Sequence, residues 1–149
     1  MTMTLQEISD RMEIQDVMVD YCYAIDHKKW DDLDDVFTPD AVIDYSEMVG
    51  FRGNLVETKA FLVSGLAQLS AYQHSISTSH IEITGDTAFG RTLVHNPMQV
   101  TLPTGEKHVM FVGLWYRDQF VRTPKGWRIK DRYEEKCYTF NVPAGMMPE

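Results

Sequence analysis

The first third of the chain carries large apolar residues at spacings of three to five, which is the pattern of an amphipathic helix. Polar and charged residues separate them along "LQEISDRMEIQDVMVDYCYAID". The pattern therefore predicts a first helix that ends near Asp26. Its predicted inward face consists of Leu5, Ile8, Met12, Val17, Tyr21 and Ile25.

Two shorter helices are predicted next. Asp31 and Asp32 suit the positive N-terminal end of a helix over Asp31–Phe37, and Pro39 disfavours helical backbone at the residue before it. "AVIDYS" alternates like a short strand, and "GFRGN", with its two glycines, predicts a turn. The third helix is predicted over Leu55–Leu69. Its predicted inward face consists of Val56, Ala60, Val63, Leu66 and Leu69.

From Tyr72 onward the period of the pattern changes to two, which indicates strands. The turns "TGD", "LPTGE" and "TPKG" separate them. Along the first strand, Tyr72, His74, Ile76, Thr78 and His80 are predicted to share one face. Helices followed by antiparallel strands predict an α+β fold with helices packed on one face of a curved sheet. The four predicted strands are Tyr72–Thr84, Thr87–Thr101, Lys107–Arg122 and Trp127–Phe140.

Length and composition narrow the class of protein. A chain of 149 residues is expected to form one domain over residues 1–149. Its formal net charge of −8 and its scattered basic residues argue against a nucleic-acid partner. No apolar run has the length of a membrane span or signal peptide. Cys22 and Cys137 are expected to be reduced thiols, so we expect a cytoplasmic protein with a small, weakly charged or uncharged ligand.

Two ionisable residues are candidates for chemistry. Asp26 stands near the C-terminal end of the first helix, where the helix dipole disfavours an anion. An enclosed carboxylate there needs a partner, whereas a solvent-facing helix end needs none, and local physics leaves both open. For His74, too, both a structural and a catalytic role remain possible interpretations. Because the chain lacks metal-ligand spacings, phosphate loops and nucleophile elbows, neither a metal nor a cofactor is expected.

Three segments carry a resemblance to a known family. They are "IDHKKWDDLDDVFTPDAVIDY", "QHSISTSHIEITGDTAFGRT" and "LWYRDQFVRTPKGWRIKDR", and in this order they span most of the chain. Together they resemble the scytalone dehydratases, in the SnoaL-like branch of the NTF2-like (ketosteroid-isomerase-like) superfamily. The resemblance implies a cone in which three N-terminal helices pack on a strongly curved antiparallel or mixed sheet that encloses a pocket.

The resemblance also implies site residues. The family's aspartate–histidine dyad falls on Asp26 and His74, and its water-holding tyrosine falls on Tyr45. Tyr21 matches a pocket aromatic residue of related dehydratases, whereas Ile25 stands where a second tyrosine is expected. Polar pocket positions of relatives fall on Asn96 and Arg132, and apolar residues replace others at Met98, Met110 and Val112. The remaining expected substrate contacts are Phe51, Leu66 and Phe140.

The function implied by the resemblance is a cofactor-independent lyase, or a related isomerase, acting on a small cyclic carbonyl compound. His74 would be the general base, oriented by Asp26, and Tyr45 with Tyr21 would stabilise the enolate oxygen. The imidazolium would return its proton to a departing hydroxyl group. Two alternatives stay open: a non-catalytic small-molecule-binding protein of this fold, and an accessory β-type subunit of a ring-hydroxylating dioxygenase. The family resemblance further implies a homo-oligomer, either a trimer or a dimer.

Overall fold

Helices come first along the chain and long antiparallel strands come last, as the predicted α+β class requires. The computed structural model describes residues 1–148. The helices are α1 (Leu5–Asp26), a 3-10 helix (Trp30–Asp35), α2 (Ser46–Val49) and α3 (Leu55–Leu66). The strands are β1 (Phe37–Tyr45), β2 (Phe51–Gly53), β3 (Leu69–Tyr72), β4 (Ser75–Thr84), β5 (Thr87–Thr101), β6 (Lys107–Thr123) and β7 (Gly126–Phe140).

The strands form one mixed, strongly curled sheet. Its order is β2-β1-β7-β6-β5-β3, and β4 pairs with β5 beside β3. Only the β1–β7 pair is parallel among the described strands. The helices cover the concave face, and the core lies between the two layers. No helix among residues 1–148 is long and apolar enough to cross a membrane.

A capping box begins helix α1. The Thr4 hydroxyl accepts a hydrogen bond from Glu7 N, and the Glu7 carboxylate accepts one from Thr4 N. The predicted inward face was wrong in its first half, since Leu5, Ile8 and Met12 are exposed. The buried face runs instead from Asp10 through Ile14 because the Asp10 carboxylate binds Arg122 and Trp127 of the sheet. The C-terminal half, with Val17, Tyr21 and Ile25, is buried as predicted.

The short elements also differ from the predictions. Phe37 opens β1 instead of closing the second helix, and residues 46–49 form an unpredicted helical turn ended by left-handed Gly50. In α3 the buried residues are Leu55, Thr58 and Leu62, whereas Val56 and Val63 are exposed. Apolar side chains occupy both sides of this helix, so periodicity alone selected the wrong face. The turn "GFRGN" supplies β2, which pairs with β1.

The strand register shifts at five places in the sheet, and three of these shifts, in β4 and β7, bear on the predicted side-chain faces. In β4 the register shifts between Ile76 and Ser79, so Thr78 and His80 are exposed, contrary to the prediction. In β7 the extra residues are Lys130 and Cys137, because Gln119 and Phe120 pair with Asp131 and Ile129, and Gly113 and Leu114 with Tyr138 and Lys136. These two bulges decide which β7 side chains reach the interior.

Candidate active site

A cavity of about 400 Å³ lies between the helices and the concave face of the sheet. This volume is within the usual range of small-molecule sites, roughly 300–1,000 Å³. The wall is mainly apolar, and six polar side chains reach it: Tyr21, Tyr45, Gln68, His74, Asn96 and Glu134. Five of the residues expected as further contacts also line it: Ile25, Leu66, Met98, Met110 and Val112.

The Asp26 carboxylate, at the last residue of α1, binds His74 twice. Its Oδ1 atom lies 2.6 Å from His74 Nδ1, and its Oδ2 atom accepts a hydrogen bond from the His74 backbone N–H at 2.9 Å. The two side chains are 19% and 7% exposed, so the pair is largely shielded from solvent. These bonds offset the unfavourable helix terminus. The carboxylate thereby fixes the orientation of the imidazole ring.

The second ring nitrogen of His74 points toward the cavity. Nε2 lies 3.2 Å from the side-chain nitrogen of Asn96, which donates to it. With the hydrogen on Nδ1 and directed at Asp26, Nε2 carries the lone pair that accepts a proton. The Tyr72 hydroxyl donates to the Ile25 carbonyl at 3.0 Å and joins β3 to the end of α1. This bond holds the two halves of the pair at a fixed distance.

Tyr21 and Tyr45 form a hydroxyl pair in the same wall. Their oxygens are 2.7 Å apart, and both residues are buried. Burial raises the pKa of both phenols, so they stay neutral donors. One hydroxyl donates to the other, which leaves one O–H free for a ligand. The Tyr21 ring also meets the His74 ring edge to face at 6.2 Å, so the pair lies beside the dyad.

Arg132 does not line the cavity, contrary to the prediction that it contacts substrate. Its guanidinium donates two hydrogen bonds of 2.8 Å to the Asp118 carboxylate. It also stacks 4.0 Å from the Tyr21 ring centroid and 3.8 Å from that of Tyr116. Arg132 therefore lies behind Tyr21 and supports the position of its ring.

Phe51 and Phe140 also lie off the cavity wall, so their predicted substrate contacts are corrected. Phe51 stacks on Phe61 at 4.3 Å, and Phe61, not Phe51, faces the cavity. Phe140 is 63% exposed and packs against Phe111 on the convex face. The bulge at Cys137 restores the alternation that the bulge at Lys130 reverses, so Phe140 faces outward although Glu134 faces inward.

Two parts of the wall are not among the predicted site residues. Met146 and Met147, in the C-terminal tail, cover one side of the cavity. Glu134 reaches the wall from β7, and burial raises its pKa to about 8. Strict alternation from Trp127 and Ile129 would direct Glu134 outward, so no signal in the sequence pattern could have found it without the bulge. The apolar composition of the tail was the available signal for the two methionines.

The arrangement offers a proton acceptor and neutral proton donors around one enclosed space. His74 supplies the acceptor at Nε2, and Tyr21 with Tyr45 supplies a free hydroxyl. Within residues 1–148, no group of three or more His, Cys, Asp and Glu side chains is arranged to hold a metal ion. Acid–base chemistry is what these described side chains can perform.

Comparison with known proteins gives one family and several structural neighbours. The model of the SnoaL-like domain matches residues 6–133. The uncharacterized protein Rv2910c of Mycobacterium tuberculosis is 46% identical over 136 residues, 91% of each chain. A protein of Novosphingobium aromaticivorans, provisionally named a scytalone dehydratase, superposes with a TM-score of 0.83 at 21% identity, over 95% of this chain and 93% of that one.

A hexachlorocyclohexane dehydrochlorinase of Novosphingobium barchaimii superposes with a TM-score of 0.75 at 18% identity, over 95% of this chain and 94% of the other. At these identities the superpositions of the two Novosphingobium proteins show a shared fold, the NTF2-like cone. The predicted cone, with helices on a strongly curved sheet, is thereby confirmed.

Proposed function

This chain belongs to the SnoaL-like domain family, and we propose that it is a cofactor-independent lyase that eliminates water from a small cyclic carbonyl compound. The proposal places the ligand in the cavity beside His74. The dehydratase and dehydrochlorinase names of two structural neighbours support elimination as the reaction class. No substrate is carried over from either protein.

The observation that carries the proposal is the Asp26–His74 pair. A carboxylate 2.6 Å from Nδ1 holds the tautomer whose Nε2 accepts a proton, and it stabilises the imidazolium that forms. Nε2 faces a cavity with room for a ring-shaped ligand. Positioned general bases of this kind typically contribute 10²–10⁴-fold to a rate.

The reaction begins with proton removal from a carbon next to the ligand's carbonyl group. The C–H electron pair moves toward the carbonyl, and negative charge develops on its oxygen. The free hydroxyl of the Tyr21–Tyr45 pair donates to that oxygen, which is worth roughly 3 kcal/mol for one well-placed donor. The enolate then expels a hydroxyl group from the next carbon, and this group must gain a proton to leave as water.

One observation favours ligand binding without catalysis as a second candidate function. The Asn96 amide donates to His74 Nε2 at 3.2 Å, so the lone pair that should accept a proton already has a partner. A ligand must displace or rotate this amide before the base can act. In a pure binding protein the amide would stay in place, and His74 would only complete the wall.

Turnover of a β-hydroxytetralone tests the proposal, because loss of water converts this bicyclic ketone to a naphthol that is easily detected. We expect turnover by the wild-type protein. His74→Ala and Asp26→Asn should each reduce it at least about 100-fold, since each removes part of the base. Circular dichroism should show an intact fold in both variants.

His80→Ala is the matched control, because His80 is an exposed histidine on β4 that lies outside the cavity. It should keep the wild-type rate. Full activity of both dyad variants would contradict the proposed base. Binding of the tetralone by the wild type without any turnover would favour the binding protein instead.

A further inference from the structure

One carboxyl group on the cavity wall has no part in the dyad. Glu134 lies on β7 directly across from Tyr116 of β6, and its side chain is partly buried at the cavity. Asp44 pairs with Tyr133 in parallel register, so Tyr45 continues β1 beside Glu134 on the concave face. The Glu134 carboxyl group therefore lies next to the tyrosine pair that meets His74.

The charge of Arg132 acts on Glu134, but the two side chains form no direct ion pair. Arg132, two residues earlier on the same face, gives two hydrogen bonds to the Asp118 carboxylate. Its Nη1 atom has no hydrogen-bond partner within residues 1–148. The Nη1 group of Arg132 is therefore free to donate a hydrogen bond, and the positive charge of the guanidinium favours the ionised form of Glu134. This position suits a carboxyl group that alternates between neutral and charged forms.

The surroundings favour the neutral form at pH 7. Burial raises the pKa of Glu134 to about 8, the Arg132 charge opposes this, and the charges of Asp118 and Asp44 add to it. The same residue faces three phenols from α1, β1 and β6. Burial raises the pKa of these as well, so they stay neutral beside it: Tyr21, Tyr45 and Tyr116. A neutral carboxyl group carries an O–H that can be donated.

We propose that Glu134 is the acid that protonates the leaving group in the reaction proposed above. The inference rests on that proposed function and divides its two proton transfers between two residues. His74 Nε2 takes the proton of the C–H bond, whose electrons form the new carbon–carbon double bond. As the C–O bond breaks, the departing oxygen takes the proton of Glu134 and leaves as water.

The step leaves an imidazolium at His74 and a carboxylate at Glu134, so one proton has moved across the cavity. Arg132, with its unpaired Nη1 donor, stabilises that carboxylate. After product release, one proton passes from His74 to Glu134 through water, and both groups regain their starting state. Charge and atoms balance, and no cofactor is needed.

Changing the leaving group separates this role from a structural one. A hydroxyl group needs a proton to depart, whereas chloride does not. Glu134→Gln should therefore slow water loss from a β-hydroxytetralone about 100-fold or more and change chloride loss from a β-chlorotetralone by only a few fold. Glu134→Asp, which keeps a carboxyl group, should restore part of the rate of water loss. Glu135→Gln, on the convex side of the same strand, is the control and should leave both rates unchanged.

The pH profile and the infrared spectrum give readouts that a packing defect would not reproduce. Water loss should decline as pH rises through about 8 in the wild type, because Glu134 ionises there, and this limb should be absent in Glu134→Gln. At pH 7 the wild type should show a carboxylic-acid infrared band that Glu134→Gln lacks.

Equal losses for both leaving groups, or no loss for either, would overturn the assignment, as would absence of the carboxylic-acid band at pH 7. Failure of the underlying function looks different. In that case His74→Ala would keep both rates, or the wild type would turn over neither tetralone, whatever the state of Glu134.

Discussion

At the residue scale, the Asp26–His74 pair is a case in which two hydrogen bonds outweigh an unfavourable helix terminus. The Asp26 carboxylate accepts two hydrogen bonds from His74, one from the ring N–H at 2.6 Å and one from the backbone N–H at 2.9 Å. Charge-assisted bonds of this kind are worth about 1.5–3 kcal/mol each, compared with about 0.3–1 kcal/mol for a charge near a helix end. The pair is therefore stable where it stands.

Tyr45→Phe tests the hydroxyl pair. This change removes one oxygen while the ring keeps its place, so we expect a loss of about 10²–10³-fold in turnover of a β-hydroxytetralone if the pair stabilises an oxyanion. Melting temperature should change little. Tyr23→Phe, an exposed tyrosine on α1, serves as the control. An unchanged rate in Tyr45→Phe would remove the pair from the mechanism.

Residue-scale prediction from the sequence reached only part of this site. Local physics left Asp26 undecided between a paired and a solvent-facing carboxylate, and the family resemblance alone joined it to His74. The resemblance also assigned Arg132 to the substrate, and Phe140 was expected as an apolar part of the cavity wall. The structure places the first behind Tyr21 and the second on the convex face, because sequence position alone does not fix which side of a bulged strand a residue occupies.

At the element scale, strand β7 is where alternation along the sequence fails to give the side-chain directions, because the strand contains two bulges. Its bulge at Lys130 directs Arg132 and Glu134 inward, where strict alternation would place Asp131 and Tyr133. The bulge at Cys137 puts Tyr138 opposite Gly113. A bulge leaves no mark in an alternation pattern, which explains why the cavity wall was harder to predict than the strands themselves.

The limits of the three long strands β5, β6 and β7 were predicted to within one residue, whereas the helix faces were predicted only in part. The predicted strand Tyr72–Thr84 was wrong, because β3 ends at Tyr72, β4 begins at Ser75, and His74 lies between them. The strand Thr87–Thr101 has the predicted ends because a glycine-containing turn flanks it on each side. Turn chemistry is local and can be read directly. Which faces of α1 and α3 are buried depends on the sheet side chains that they contact. Asp10, for example, is buried because it binds Arg122 and Trp127, and the local sequence of α1 does not contain that information.

Gly113→Ala tests the close packing at the second bulge. An added Cβ atom would lie 2.1 Å from the Tyr138 ring, so the ring must move away. We expect a loss of about 1–3 kcal/mol in the free energy of unfolding, measured by urea denaturation. Gly65→Ala is the matched control, since Gly65 is an exposed residue of helix α3 whose added Cβ would meet nothing within 4 Å, and this change should stabilise slightly. Equal stability of both variants would contradict this packing.

At the scale of the whole molecule, one buried carboxylate joins the first helix to the last hairpin. Asp10 accepts hydrogen bonds from Arg122 at 2.6 and 2.8 Å and from the Trp127 indole at 3.0 Å. Arg122 lies on β6 and Trp127 on β7, so this cluster closes the cone at the N-terminal half of α1. Its donors hold the pKa of Asp10 well below the usual range.

Asp10→Asn should cost about 1–3 kcal/mol of unfolding free energy, because it weakens the hydrogen bonds from Arg122 and Trp127 and leaves Arg122 only its exposed partner Asp86. The pKa shift fixes the pH dependence. The stabilising contribution is present above the unfolded pKa of about 3.9 and is lost as pH falls below it. Wild-type stability should therefore fall on acidification by an amount that Asp10→Asn lacks. Parallel stability–pH curves for the two proteins would exclude this role.

The convex face of the sheet exposes apolar side chains and suits the homo-oligomer implied by the family. These residues are Phe89, Val109, Tyr138 and Phe140. We propose that a second copy covers them, as a dimer or trimer. Phe140→Ser with Tyr138→Ser should lower the mass measured by light scattering to that of one chain. A wild type that is already monomeric would contradict the proposal.

Deuterium exchange at the carbon next to the carbonyl of a tetralone measures the central step most directly, because it needs only the base and no leaving group. In D₂O the wild type should incorporate deuterium, detected by mass spectrometry, and His74→Ala and Asp26→Asn should lose this exchange at least about 100-fold. Exchange that proceeds equally fast in His74→Ala would contradict the assignment of His74 as the base.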